Sequence, residues 1–325
     1  MNAFLQQIAL AAPLFILVFV GYGLMRFFKW PKSMSDNMIR FVFSVAPAML
    51  FRLMSDFSKL PPVDARLLLA FFGGCLIVFI MGRLVAWKLF GLDGVAQSVF
   101  ALGGVFSNNV MLGLPLAKVA LGEASVPSVA LVLVFNALIL WTLVTVSVEW
   151  ARHGNFSVRG FAQTTRAVLT NPIVAAILSG ALFGITGLPI PALIDAPLAM
   201  LGQPAPPLAL VALGMGLAEY GVREGWRISL AISAMKLLVQ PLVVWLLAYW
   251  LGLPAMETQV VVLLASIAVG TNVYLISIAV GTNVYLMSRQ FHSLEGPVAS
   301  SLLLLSTGLA AITTPLVLTL LDLPY

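Results

Sequence analysis

Residues able to do chemistry are scarce in this chain, and they gather in a few phrases. The first is Val105–Leu116, Val-Phe-Ser-Asn-Asn-Val-Met-Leu-Gly-Leu-Pro-Leu, where Asn108 and Asn109 precede Gly113 and Pro115 in an otherwise apolar run. Amides offer both donors and acceptors. Pro115 lacks an N–H and its ring opposes the carbonyl one turn back, so a helix here breaks and frees backbone groups near Met111. In hydrocarbon such a break survives only against protein or a water-filled cavity. A polar ligand would find two amides and freed carbonyls there. The same phrase returns late in the chain: Asn109-Val-Met-Leu112 is echoed by Asn272-Val-Tyr-Leu275 and Asn283-Val-Tyr-Leu286. Interrupted apolar segments at matching places in two halves point to a binding site at their interface. A kink made only for packing is the alternative for Pro115 alone; the paired asparagines favour a site.

Lys236 lies among Ile232, Met235, Leu237 and Leu238, with Pro241 close behind. An ammonium at that depth either faces the protein interior or snorkels to the headgroups, and the nearness of the inner end of its span favours snorkelling. Arg52 follows Pro47 by little more than a turn and either snorkels outward, the favoured reading, or holds an anion. Gly202-Gln-Pro-Ala-Pro-Pro207 reads as an unwound entrance with Gln203 as its polar contact. The candidate substrate-binding set is therefore Asn108, Asn109, Gly113, Pro115, Pro47, Gln203, Lys236, Gly281, Asn283 and Asn272. Glu149 and Glu219 stand near helix ends, so a proton relay of buried carboxylates has little support. His153 and His292 fall in predicted loops and no nucleophile–base pair or metal-ligand spacing appears, which argues against an enzyme and calls for no cofactor or metal. Cys75, the only cysteine, excludes an internal disulfide.

The elements that position these residues are membrane helices. Hydrophobic residues make up 61% of the chain and charged ones 9%, with a mean hydropathy of +1.06, too little polar surface for a water-soluble globule of this size. Runs of about twenty apolar residues without alternation predict helical spans, not a barrel. Met1–Ala11 carries no Lys or Arg, so the first run reads as a retained span and not a signal peptide. Ten spans are expected: Ile8–Met25, Met38–Met54, Leu67–Trp87, Gln97–Leu116, Val126–Val148, Pro172–Ile190, Ala196–Leu217, Ile228–Leu251, Val260–Met287 and Pro297–Leu321. With both termini outside, Arg26, Lys29, Lys32, Arg40, Arg83, Lys88, Arg152, Arg159, Arg166, Arg223, Arg227 and Arg289 fall in or beside cytoplasmic loops, leaving Lys59, Arg66 and Lys118 outside. That is a strong positive-inside bias, and it explains the net charge of +5 without nucleic acid.

Residues 151–171 form the longest polar connection and separate a first repeat of five helices, 1–150, from a second, 172–325. Because five is odd, the second repeat enters inverted. Ordered pairing sets Ala46-Pro47 against Ala205-Pro206 and the asparagine phrases of spans four and nine against each other. The Gly21-Tyr-Gly23 of span one suits a close helix approach. Span nine carries a direct duplication, Ser266–Ile276 followed at once by Ser277–Met287. The added residues are worth about 16 Å of helix, so the two copies offer rival asparagines; the distance from Asn283 to Arg289 favours Asn283 as the mate of Asn109.

Gly21-Tyr-Gly23, Asn109 with Gly113-Leu-Pro115, the proline-rich entry to span seven with Leu213-Gly214, Lys236-Leu with Pro241, and Gly281-Thr-Asn283-Val-Tyr-Leu-Met-Ser-Arg-Gln occur in an order that resembles the auxin efflux carrier family, in particular its bacterial malonate-carrier-like members. The resemblance covers essentially the whole chain. It implies an all-α polytopic membrane protein with ten transmembrane helices in two inverted five-helix repeats, whose broken helices four and nine cross at the substrate site. Many relatives have proline before the span nine asparagine, where this chain has Ala268 and Ala279. The function expected is secondary transport of a small organic anion, a carboxylate or dicarboxylate such as malonate, by alternating access; a channel-like anion or solute pore is the alternative. The partners expected are the anion and the lipid bilayer of the bacterial inner membrane, with a homodimer as an option and no nucleic acid.

Overall fold

The computed structural model describes residues 2–56, 63–153, 166, 172–218, 226–270 and 297–321, and among these the regular structure is helical throughout. In chain order the helices are α1 (Asn2–Arg26), α2 (Lys32–Ser55), α3 (Arg66–Phe90), α4 (Gly94–Gly103), α5 (Leu114–Leu121), α6 (Val126–His153), α7 (Pro172–Ile185), α8 (Ala192–Gly202), α9 (Ala205–Ala218), α10 (Trp226–Ala234), α11 (Gln240–Trp250), α12 (Ala255–Ser266) and α13 (Pro297–Leu321). The stretches Leu5–Arg26, Ser33–Ser55, Arg66–Phe90, Ala192–Ala218 and Trp226–Trp250 are long and apolar enough to cross a bilayer. Shorter apolar helices occupy the other expected spans among the described residues. Large apolar side chains such as Phe19, Leu69, Ile80, Leu193, Leu242 and Ile312 point outward. In water such a surface would be an aggregation hazard; against lipid it is the favourable one. The chain is thus an integral, polytopic, all-helical membrane protein.

The helices are apolar nearly all round, so buried position is set less by hydrophobic stripes than by small residues that admit a neighbour. α1 packs along α9, α2 along α7 and α9, and α3 along α4 and α11. α4 also meets α6, α11 meets α12, and α12 meets α13; α13 touches α1 and α10, while α6 touches α3 and α7. Ala46 and Ala205, matched from the sequence, lie in one buried cluster with Val45. The main core runs from Phe71 and Cys75 on α3 through Phe106 and Leu112 to Leu263 and Leu264 on α12. Gly91, at φ +60°, ends α3, and Asp93 then caps α4 by accepting from the N–H groups of Val95 and Ala96. Arg83, placed by its charge in or beside a loop, stands inside α3 and donates to Ser98 of α4 and Ser147 of α6. At the other end of α3, Arg66 holds the Asp64 carboxyl below the usual carboxylate range by hydrogen bonding to it, and donates to the Leu251 carbonyl at 2.8 Å.

α2 runs unbroken through Pro47, as a single span should. Two sequence expectations need correction here. The proline-rich entry to span seven is interrupted only at Gln203 and Pro204, between α8 and α9, because Pro206 and Pro207 sit in the first turn of α9, where a missing N–H costs nothing. Arg52 neither snorkels freely nor stands ready for an anion: its guanidinium forms a two-pronged ion pair with Asp195 of α8, at 2.6 and 3.0 Å.

Candidate functional site

The break in span four lies earlier than the proline suggests. α4 ends at Gly103, and the chain is non-helical from Gly104 to Asn108 before a single π-type turn, Asn109–Gly113, leads into α5. Pro115 stands at the start of α5 as its second residue, half-buried. The π turn is what accommodates it: the Leu114 N–H reaches back five residues to the Asn109 carbonyl, and the wide turn relieves the crowding a proline ring imposes.

The freed backbone of Gly104–Asn108 does not face solvent. α12 stops at Ser266, and Ile267 turns to an extended conformation, φ −75° and ψ 152°. The two extended segments then pair in antiparallel fashion at Ser107 and Val269. Asn108 N–H donates to the Ala268 carbonyl at 3.0 Å, and Gly270 N–H donates to the Phe106 carbonyl at 2.8 Å. The unwound backbone of span four and the chain leaving α12 therefore satisfy one another inside the bundle, as backbone in hydrocarbon must. Gly113 lets α12 approach the π turn: a Cβ there would lie 2.9 Å from Leu264 Cδ2 and 3.2 Å from Ile267 Cδ1.

Around this pairing sit buried amides. Asn109 is 1% exposed; its Nδ2 makes a long 3.5 Å contact with Asn136 Oδ1 on α6, and its Oδ1 has no partner among the described residues. The buried Asn108 carbonyl accepts from both Leu112 and Gly113 N–H, which leaves the N–H groups of Asn109, Val110 and Met111 without partners inside their own turn. Ser107 Oγ is likewise buried and unpartnered among the described residues. Partial positive charge at a helix start, plus rotatable amides, can donate hydrogen bonds to a polar or anionic group.

Lys236 is fully buried and so does not snorkel, correcting the sequence expectation. It lies in a second π turn, Met235–Val239, which again precedes a proline, Pro241. Its Nζ donates to the Ala265 carbonyl in the last turn of α12 and, at 2.6 Å, to Gln240 Oε1. Gln240, also fully buried, donates through Nε2 to the Val105 carbonyl at 3.0 Å and to Cys75 Sγ at 3.3 Å. Sequence reading missed Gln240 and Asn136. The first stands four residues after Lys236, on the same helical face, and the second is a lone amide in an apolar run.

Of the remaining candidates, Pro47 is half-buried within α2 and Gln203 is exposed, and neither is brought into this cluster. Asn272, Gly281 and Asn283 lie outside the described residues.

This is a polytopic helical bundle in which buried amides and the unwound backbone of span four meet the end of α12. The chain belongs to the membrane transport protein family, that of the auxin efflux carriers, which it matches over residues 7–318. It is also 28% identical over 276 residues to a protein of Rhizobium meliloti (strain 1021) named "Putative malonate transporter", a match covering 82% of this chain and 84% of that protein.

Proposed function

We propose that the chain is a secondary transporter for a small organic anion, a carboxylate or dicarboxylate of the malonate type, bound at the crossing of the two interrupted helices. The observation that carries this reading is the reciprocal pairing of Asn108 with Ala268 and Gly270 with Phe106, beside the unpartnered Asn109 Oδ1. A half-turn of the Asn109 amide exchanges its oxygen and nitrogen, and Asn136 can answer either orientation, so Nδ2 can be offered to a carboxylate oxygen. The N–H groups of Asn109–Met111 add donors without a full countercharge. The malonate name of the Rhizobium meliloti protein agrees with such chemistry.

The reading includes ten spans in two inverted repeats, 1–150 and 172–325, joined by 151–171, in the bacterial inner membrane with both termini outside. Helix packing supports the repeat. Exchanging span n with span n+5 turns the α1–α9 contact into α7–α2, α3–α4 into the contact of span eight with α12, α4–α6 into α12–α13, and α1–α13 into α7–α6, and each partner contact is present. Alternating access would then rock the crossing against the remaining helices. The first copy of the duplicated segment supplies Ala268–Gly270, and Asn272 follows Gly270 by two residues, within about 7 Å of chain. Asn272 is on that ground preferred to Asn283 as the second amide of the site.

The test is uptake of radiolabelled malonate and related mono- and dicarboxylates by proteoliposomes. Saturable uptake with counterflow is expected, lost in Asn109→Ala and Asn272→Ala and retained in Asn283→Ala. Flux that stays linear with concentration would support a channel instead, and saturable uptake unaffected by Asn109→Ala would move the site elsewhere.

A further inference from the structure

Lys236 does not reach toward the amides of the crossing; its bonds go to the ends of the helices that make it. α4 and α12 both point their C-terminal ends at the crossing, so two sets of last-turn carbonyls, each with partial negative charge, meet inside the bundle. Left alone, that arrangement repels itself and repels an anion. Nζ takes the Ala265 carbonyl of one end directly, and Gln240 relays it to the Val105 carbonyl just past the other. No carboxylate pairs with Lys236 among the described residues; the titratable group that another element brings to this network is the Cys75 thiol on α3, bonded to Gln240.

Oxygen atoms of unwound backbone and of helix C-terminal ends are the ligands that transporters with interrupted helices offer to a coupling cation. We propose that the Lys236 ammonium is a resident cation in that position: it neutralises and ties together the ends of α4 and α12, so the crossing accepts an anion without recruiting an alkali cation. Gln240 is a positioning residue, aligning Nζ by accepting its second bond. The transport part of this inference rests on the proposed carboxylate site; the cation part does not.

The experiment uses the purified full-length protein and two independent readouts. For the wild type, thermal unfolding without substrate, and malonate uptake, are compared in sodium and in choline buffers of equal ionic strength. Both are expected to agree within about twofold in rate, with no sodium-dependent shift in unfolding. Sodium-dependent stabilisation or uptake overturns the proposal. Lys236→Ala removes the ammonium and leaves room behind it. Its unfolding temperature and malonate affinity are expected to fall, the latter about tenfold or more, and to be regained with propylammonium but not with isosteric propanol. An equal response to both, or to neither, shows that shape and not charge is what Lys236 supplies, and overturns the proposal. If wild-type protein binds no malonate, the carboxylate reading fails while the unfolding arms still decide the cation. If Lys236→Ala does not fold, the sodium arm on unaltered protein still decides.

Discussion

Gly21 of α1 and Gly214 of α9 mark a contact between helices at backbone distance. A Cβ on Gly21 would lie 2.0 Å from the Val211 carbonyl oxygen, and one on Gly214 would lie 1.9 Å from the Val18 carbonyl oxygen. Neither obstacle is a side chain that can turn away, so the helices themselves must part. Gly21→Ala and Gly214→Ala are each expected to cost at least the upper end of the usual overpacking range, about 3 kcal/mol. Gly23, whose nearest neighbour would be the Phe27 ring at 3.6 Å, is the control and tolerates alanine. Thermal unfolding in detergent separates the three.

Asn109→Ala should leave insertion and folding intact, because the lost amide makes one long side-chain contact among the described residues. Substrate affinity is expected to fall by roughly tenfold to a hundredfold, the worth of about 1.5–3 kcal/mol for a hydrogen bond to a charged group. Asn136→Ala, acting through Asn109, should weaken binding by less. Calorimetric titration with malonate reads both, and a larger loss for Asn136 would reverse their roles.

Gln240→Leu keeps the volume near Cys75 but strands Lys236 Nζ with one acceptor and leaves the Val105 carbonyl without its side-chain donor. An expected destabilisation of about 1–3 kcal/mol follows from burying unsatisfied polar groups. Denaturation in mild detergent checks it; an unchanged midpoint would mean that the break in span four holds without this bond.

Arg52 and Asp195 join α2 to α8 with side chains 34% and 36% exposed. Partly exposed pairs of this kind couple by about 0.2–1 kcal/mol and weaken with salt. A double-mutant cycle of Arg52→Ala and Asp195→Ala, followed by unfolding at two ionic strengths, should return such a value. Malonate affinity lowered by Arg52→Ala but not by Asp195→Ala would instead give the arginine a ligand.

Cysteine probes at Ser157 and Tyr325 test the orientation drawn from loop charges. Impermeant maleimide added to cells is expected to modify Tyr325→Cys and to spare Ser157→Cys, and the buried Cys75 should stay silent in both. The opposite pattern inverts the topology.

Composition, membrane class and helical character were legible in the chain because the bilayer imposes them locally: backbone that meets lipid must be satisfied by helix bonds, so long apolar runs become helices wherever they occur. Asn108, Asn109 and Gly113 stood out in the sequence as polar or small residues inside such a run. The place of the break was not. Pro115 marks a helix start, and the chain unwinds at Gly104–Asn108 only because Ala268–Gly270, more than a hundred and fifty residues later, arrives to take its hydrogen bonds. Lys236 and Arg52 follow the same rule. Their types and depths could be read from the sequence, but whether a cation snorkels, binds a ligand or is spoken for depends on which oxygen atoms the packed helices place beside it. For Lys236 those are Ala265 and Gln240, and for Arg52 Asp195. Apolar helices in lipid carry little one-sided patterning to announce their neighbours, so those partners were decided by small-residue packing in the tertiary structure.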